Sequence, residues 1–207
     1  MSFEGWTIFA LFWVLFVTTP GPNAVNCIQN GLAHGFGRAL WGVAGILTQA
    51  CLFLALSAAG ITALIATSPT AFYWAKLIGA GFLIFLGLRT FIYAGRPLAS
   101  VPPSARSIYG RAFVIATVNI KSVAGYMAAF SQFVQHDVPI GQQMWIIVPT
   151  ALSITAASYS GYTALGAGLG RMALGAIMNV WLRRGMGACF VIYGLLLGAA
   201  GGPQALR

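Results

Sequence analysis

Residues 6–32 and 40–66 contain no charged side chain at all. Runs of that length without charge dictate the class of fold. A bilayer-spanning helix needs about 20 mainly apolar residues, and each run exceeds that. Soluble domains carry roughly 25% charged residues, whereas this 207-residue chain carries 6%, with 59% hydrophobic. The chain reads as an all-α integral membrane protein.

Six stretches qualify as spans: 6–32, 40–66, 71–93, 112–134, 144–169 and 185–200. Between the third and fourth lies "AGRPLASVPPSARS", rich in Pro and Ser, which reads as a solvated central loop. The expected organisation is one transmembrane domain over 1–207. It divides into a three-helix unit at 1–95, a loop at 96–110 and a second three-helix unit at 111–207. Three helices per half makes the halves face opposite ways, the arithmetic of an inverted repeat. A faint internal echo points the same way: "FVTTPGPNAV" opens the first half and "FVIATVNIKSV" the second.

The net charge of +9 raises the question of nucleic acid. A nucleic-acid face needs basic residues clustered on a wet surface. Here they lie scattered between apolar runs, so no nucleic-acid partner is expected. Their placement is instead that of loop charges. Arg38, Arg89, Arg96, Arg106, Arg111, Arg171, Arg183 and Arg184 fall in or beside loops one, three and five. Both acids, Glu4 and Asp137, fall on the other side, with Lys76 and Arg207. The positive-inside rule then puts both termini outside. No Lys/Arg-rich leader with a small-residue cleavage site precedes the first span.

The first span carries an unusual break, "TTPGPN". Proline removes a backbone donor and clashes with the preceding turn. The apolar run before it, residues 6–17, covers roughly 18 Å at about 1.5 Å per residue, short of a core about 30 Å thick. A spanning segment must therefore break inside the membrane. Non-helical backbone at that depth is tolerated where it is buried in protein or lines an aqueous cavity. Transporters use such breaks to aim half-helix N-termini at anionic groups. Thr19, Pro20, Gly21, Pro22 and Asn23 are thus candidate substrate-binding residues, beside Thr18.

The second-half counterpart is Asn119-Ile120-Lys121. Lys121 is the one charged residue well inside an expected span. Intramembrane lysine is costly and faces a cavity or a partner. No expected span contains Asp or Glu, so the partner is a carbonyl, a hydroxyl or a bound anion such as a substrate carboxylate. Asn119, Lys121 and the membrane-depth amide of Gln132 complete the candidate set. Gln49 is a second membrane-depth amide. Cys27, Cys51 and Cys189 form no CxxC pair and read as small hydrophobes. His34 and His136 fall in or near loops, which leaves an intramembrane hydrolase without a base. No cofactor or metal is expected.

These residues resemble the lysine exporter (LysE) superfamily and its homoserine/threonine efflux branch. "TPGPNAV", "NGLAHGFGRALWGVAGI", "AKLIGAGFLIFLGLRTF" and "NIKSVAGYMAAFSQFV" carry the resemblance over nearly the whole chain. It implies a small bacterial inner-membrane exporter of amino acids or related solutes, driven by the proton gradient and often homo-oligomeric. It does not imply an enzyme. Three departures bear on that expectation. The family's Asn-Pro-Lys is Asn119-Ile120-Lys121 here, so a straighter fourth helix is expected. Its Pro-Gln-Phe is Ser131-Gln132-Phe133. The Asp that many relatives carry after Pro-Gly-Pro is Asn23. With no carboxylate in a span, a neutral, zwitterionic or anionic solute is favoured over a cationic one. The rival readings are a thiol or electron carrier in the membrane and a passive channel for small solutes.

Overall fold

The computed structural model describes residues 2–67, 69–96, 107–135, 138–177 and 179–200. Arg106, His136, Asp137 and most of the central loop lie outside the described residues. Eight helices make up the described chain, and no strand occurs among these residues. They are α1 (Phe3–Thr18), α2 (Pro22–Thr67), α3 (Pro69–Ile92), α4 (Ile108–Val118), α5 (Ile120–Phe133), α6 (Ile140–Leu169), α7 (Arg171–Ile177) and α8 (Val180–Ala200).

The surface is strongly apolar, and polar side chains are buried within a mainly apolar interior. Ile78 is 70% exposed, Trp41 65% and Leu196 64%, while Asn23, Asn26, Asn30, Gln49, Thr155 and Thr163 are buried. Exposed apolar area on that scale needs an apolar surrounding. By length and hydropathy, one helical segment among the described residues, Pro22–Gly60, suffices to cross a bilayer alone; Phe3–Thr18, Leu77–Ile92 and Ile108–Val118 are apolar but shorter. Trp74, Trp145 and Trp181, each in the first turns of its helix, are all exposed.

Two expectations need correction. The stretch between the first two expected spans, loop one, is a tight turn: the two helices run together here as α2 meet at Gly35, whose φ of +70° and ψ of 168° lie outside the helical region and suit a residue without Cβ. The fourth span is not straighter for lack of proline. It is divided into α4 and α5 at Asn119, whose ψ of 105° is extended. The side chain explains this, because Asn119 Oδ1 accepts the Lys121 N–H at 3.1 Å. An Asn that offers its own acceptor to the next turn caps a helix start as a proline-linked break would.

Packing holds the two breaks close. α2 lies against α6 and α4, α3 against α8 and α5, and α1 against α6. At the α3–α8 crossing, a Cβ placed on Gly87 would come 2.6 Å from the Gly187 carbonyl oxygen, and one on Gly187 would come 2.7 Å from that of Gly87. Two backbones meet there in mutual contact, the close approach that small residues permit between helices. Trp13 Nε1 donates to the Thr155 hydroxyl at 3.0 Å and Trp6 Nε1 to Thr150 at 3.1 Å, which tie α1 to α6.

Candidate functional site

The end of α1 follows from local sterics. A residue before proline is driven out of the helical region, and Thr19, before Pro20, is extended with ψ of 123°. Gly21 then links to Pro22, the first residue of α2, where the missing N–H costs nothing. Thr18 and Thr19 turn their hydroxyls back to the Val14 and Leu15 carbonyls, both at 2.6 Å. These bonds close off the last turn of α1. Beyond the break, α2 presents the unpaired N–H groups of a helix start.

The carbonyls freed by the break find partners from the other half of the chain. Lys121 Nζ donates to the Thr19 carbonyl oxygen at 2.6 Å. Tyr162 Oη donates to the Thr18 carbonyl oxygen. The lysine stem crosses the break so closely that a Cβ on Gly21 would lie 3.7 Å from Lys121 Cδ. Its ammonium also sits 5.2 Å from the centre of the Phe16 ring, within cation–π range. The Asn119 amide nitrogen lies 3.5 Å from Asn23 Oδ1. The sequence-expected residues of the two breaks are thus brought together, although about a hundred positions separate them along the chain.

A cavity of about 600 Å³ begins at this junction. Thr19, Pro20, Gly21, Pro22, Asn119 and Lys121 form its inner wall. Arg89, Thr90, Tyr93 and Arg96 from the end of α3, with Arg183 from the first turn of α8, form its outer wall. Arg183 is buried and caps the end of α3. Its guanidinium donates to the Ala94 carbonyl at 2.5 Å, that of Arg96 at 2.6 Å and that of Tyr93 at 3.2 Å. A cation is favourable there because a helix C-terminus carries partial negative charge. The Arg96 guanidinium stacks over the Tyr93 ring at 4.2 Å.

Phe16, beside the Lys121 ammonium, belongs to a cluster of buried aromatic side chains. Phe12, Trp13, Tyr126 and Phe133 belong to the same cluster. Trp13 meets Tyr126 edge-on at 5.2 Å, and Phe12 stacks on Phe16 at 5.9 Å. Phe16 also covers Gly125 so tightly that a Cβ there would lie 2.1 Å from the ring.

Gln132 is not among the residues that line the cavity. It lies in the last turn of α5, with its amide nitrogen 3.3 Å from where a Cβ on Gly79 would sit, at the α3–α5 contact. Asn23 touches Asn119 but lies behind the cavity wall. Arg89, Arg96 and Arg183, which the sequence alone places among the loop charges, line the cavity. The signal was present in their position: all three fall within a turn or so of an apolar helix end, where a guanidinium can reach inward. Tyr162 was also missed, since a tyrosine inside an apolar run carries no distinguishing pattern.

Comparison with known proteins gives a consistent picture. The family model described as LysE type translocator matches residues 14–201. An uncharacterized membrane protein of Vibrio cholerae is 31% identical, over 97% of this chain and 99% of its own length. The homoserine/homoserine lactone efflux protein of Salmonella typhimurium is 28% identical, over 97% and 98% respectively. The leucine efflux protein of the same organism is 26% identical, over 73% and 74%. No solved structure matches the chain.

Proposed function

The chain belongs to the LysE type translocator family, and from that premise we propose that it exports a small amino acid or amino-acid derivative from the bacterial cytoplasm across the inner membrane. It is a transporter rather than an enzyme. The observation that carries the reading is the junction of two helix breaks on one cavity, with Lys121 bonded to the backbone of the opposite break. The full-length similarity to a homoserine/homoserine lactone efflux protein and the partial similarity to a leucine efflux protein support the solute class.

In this reading the spans form two inverted three-helix halves, each opened by a broken helix, α1 with α2 and α4 with α5. The mutual contact of Gly87 and Gly187 supports a pseudo-two-fold relation at the α3–α8 crossing. Loop one, loop three and loop five face the cytoplasm, so the arginine-lined mouth opens inward and both termini lie outside. A substrate carboxylate enters from that mouth and takes the Lys121 ammonium from the Thr19 carbonyl. The N–H groups at the start of α2 and Asn119 complete its shell, a helix-terminus anion site of the kind broken helices supply. The aromatic cluster around Phe16 and Tyr126 closes the outer side at this stage. Rocking of one half against the other then opens it, and inward proton movement drives the cycle.

The test is efflux from proteoliposomes loaded with labelled homoserine, leucine and other amino acids and their derivatives, with and without an imposed pH gradient. Protein-dependent efflux that the gradient accelerates is expected. Equal loss from protein-containing and protein-free vesicles for every solute would overturn the reading. Efflux insensitive to the gradient would remove proton coupling alone.

A further inference from the structure

Resting on the export reading, we infer that Tyr162 is a positioning residue: by holding the Thr18 carbonyl it leaves the Lys121 ammonium to be drawn off by the solute, and so it sets the solute's affinity from outside the cavity. In a continuous helix the Thr18 carbonyl accepts from the N–H four residues on. That residue is Pro22, which has no N–H to give. The Tyr162 hydroxyl supplies the missing donor from α6. The next carbonyl, that of Thr19, is met by Lys121 Nζ. The break therefore exposes two successive carbonyls, and each is met by one side chain from the second half of the chain. The two donors stand in different places. Lys121 lines the cavity, whereas Tyr162 is not among the lining residues. A solute in the cavity competes for the ammonium and not for the phenol.

The tyrosine also touches both lips of the break. Its ring packs against two clusters, one holding Cys27 and the other Val25 and Ile28, all in the first two turns of α2. Its hydroxyl holds Thr18, the last residue of α1. One side chain thus fixes the end of α1 relative to the start of α2. With Thr18 covered in this way, a solute carboxylate that draws Lys121 away uncovers a single carbonyl, that of Thr19 on the cavity wall. Without the phenol hydroxyl, the Thr18 carbonyl loses its partner, and an unpaired carbonyl away from water is costly. An ammonium has three donors, so Lys121 then serves both carbonyls. The solute must draw it from two acceptors instead of one, and its affinity falls.

Tyr162→Phe keeps the ring in its two clusters and removes the donor. Thr150→Val is the matched reference, because it removes the Trp6 tie, a side-chain bond between the same two helices at the other end of α1. Initial efflux rates are measured against internal concentration in proteoliposomes at equal protein content. The solute is whichever of homoserine, leucine and the other amino acids the wild-type protein carries fastest. In Tyr162→Phe the half-saturating concentration should rise about tenfold, the worth of one hydrogen bond to a charged group, with the maximal rate near that of wild type. In Thr150→Val both quantities should stay near wild type. An unchanged half-saturating concentration in Tyr162→Phe, whatever its maximal rate, would make the tyrosine a structural tie; it would overturn the inference and leave the export reading standing. An equal rise in Thr150→Val would do the same, since loosening α1 from α6 anywhere would then suffice. Loss of Tyr162→Phe from the membrane would make the hydroxyl a requirement for folding and would also overturn the inference. Wild-type vesicles that release none of these solutes faster than protein-free vesicles would overturn both readings.

Discussion

Lys121 concentrates the chemistry of the site in one side chain. It spans from the start of α5 to the broken end of α1, and its ammonium holds the Thr19 carbonyl at 2.6 Å. A lysine that merely snorkels sends its charge toward water; this one sends it to backbone at the helix break. Lys121→Met keeps the stem and removes the charge. The variant should lose substrate binding about tenfold to a hundredfold, the worth of a charge-assisted bond, and lose pH-driven efflux with it. Lys121→Arg keeps a charge that does not dissociate in the working range. It should still exchange substrate across the membrane yet fail at net uphill efflux. Exchange and net flux measured separately in proteoliposomes distinguish the two. Wild-type net efflux in Lys121→Met would reduce the residue to a staple between halves.

At the scale of elements, the two breaks are built by different chemistry to the same end. Pro20 and Pro22 force the first one, since Thr19 before a proline cannot stay helical. Asn119 makes the second with its side chain, bonding the Lys121 N–H at 3.1 Å. Pro20→Ala with Pro22→Ala restores donors and helical freedom at the first break. A more continuous helix then withdraws the α2 N-terminus from the cavity and moves the Thr19 carbonyl away from Lys121. We expect insertion and abundance near wild type with efflux reduced by at least about tenfold, because the anion shell loses one or more charge-assisted bonds. Membrane abundance by immunoblot and efflux rate provide the check. Full efflux at matched abundance would make the break a packing kink. The Asn119 break should persist in that variant, since nothing in it depends on the prolines.

On the scale of the whole molecule, the cavity lies between the junction of the two breaks and the arginines at the ends of α3 and α8. Which compartment it meets depends on orientation, and in the proposed one, with the eight arginines of loops one, three and five inside, that compartment is the cytoplasm. Ser104→Cys, in the central loop, and Gln142→Cys, at the exposed start of α6, test that assignment in a background lacking Cys27, Cys51 and Cys189. A membrane-impermeant thiol reagent applied to intact cells should label the Gln142 site and spare the Ser104 site until the cells are opened. The reverse pattern would turn the protein over and make the arginine mouth an outward one.

Several features were legible in residues alone, for physical reasons. Uncharged runs such as 40–66 require an apolar surrounding, so the membrane class follows from composition. The break at Thr19–Pro22 follows from proline sterics, which are local and need no tertiary knowledge. A lone lysine in an apolar run signals a cavity or a partner, because its desolvation must be met somewhere. Tertiary structure decided the rest. That the partner of Lys121 is the Thr19 carbonyl depends on how α5 crosses α1, a contact between segments far apart in sequence. That Asn119 breaks α4 from α5 without proline depends on a side-chain rotamer. That Gln132 lies at the α3–α5 contact, and that Arg89, Arg96 and Arg183 line the cavity, depends on where helix ends meet in space. Hydropathy records whether a residue is greasy or charged; which wall a charged helix end finally faces is set by packing between helices, and no local pattern encodes it.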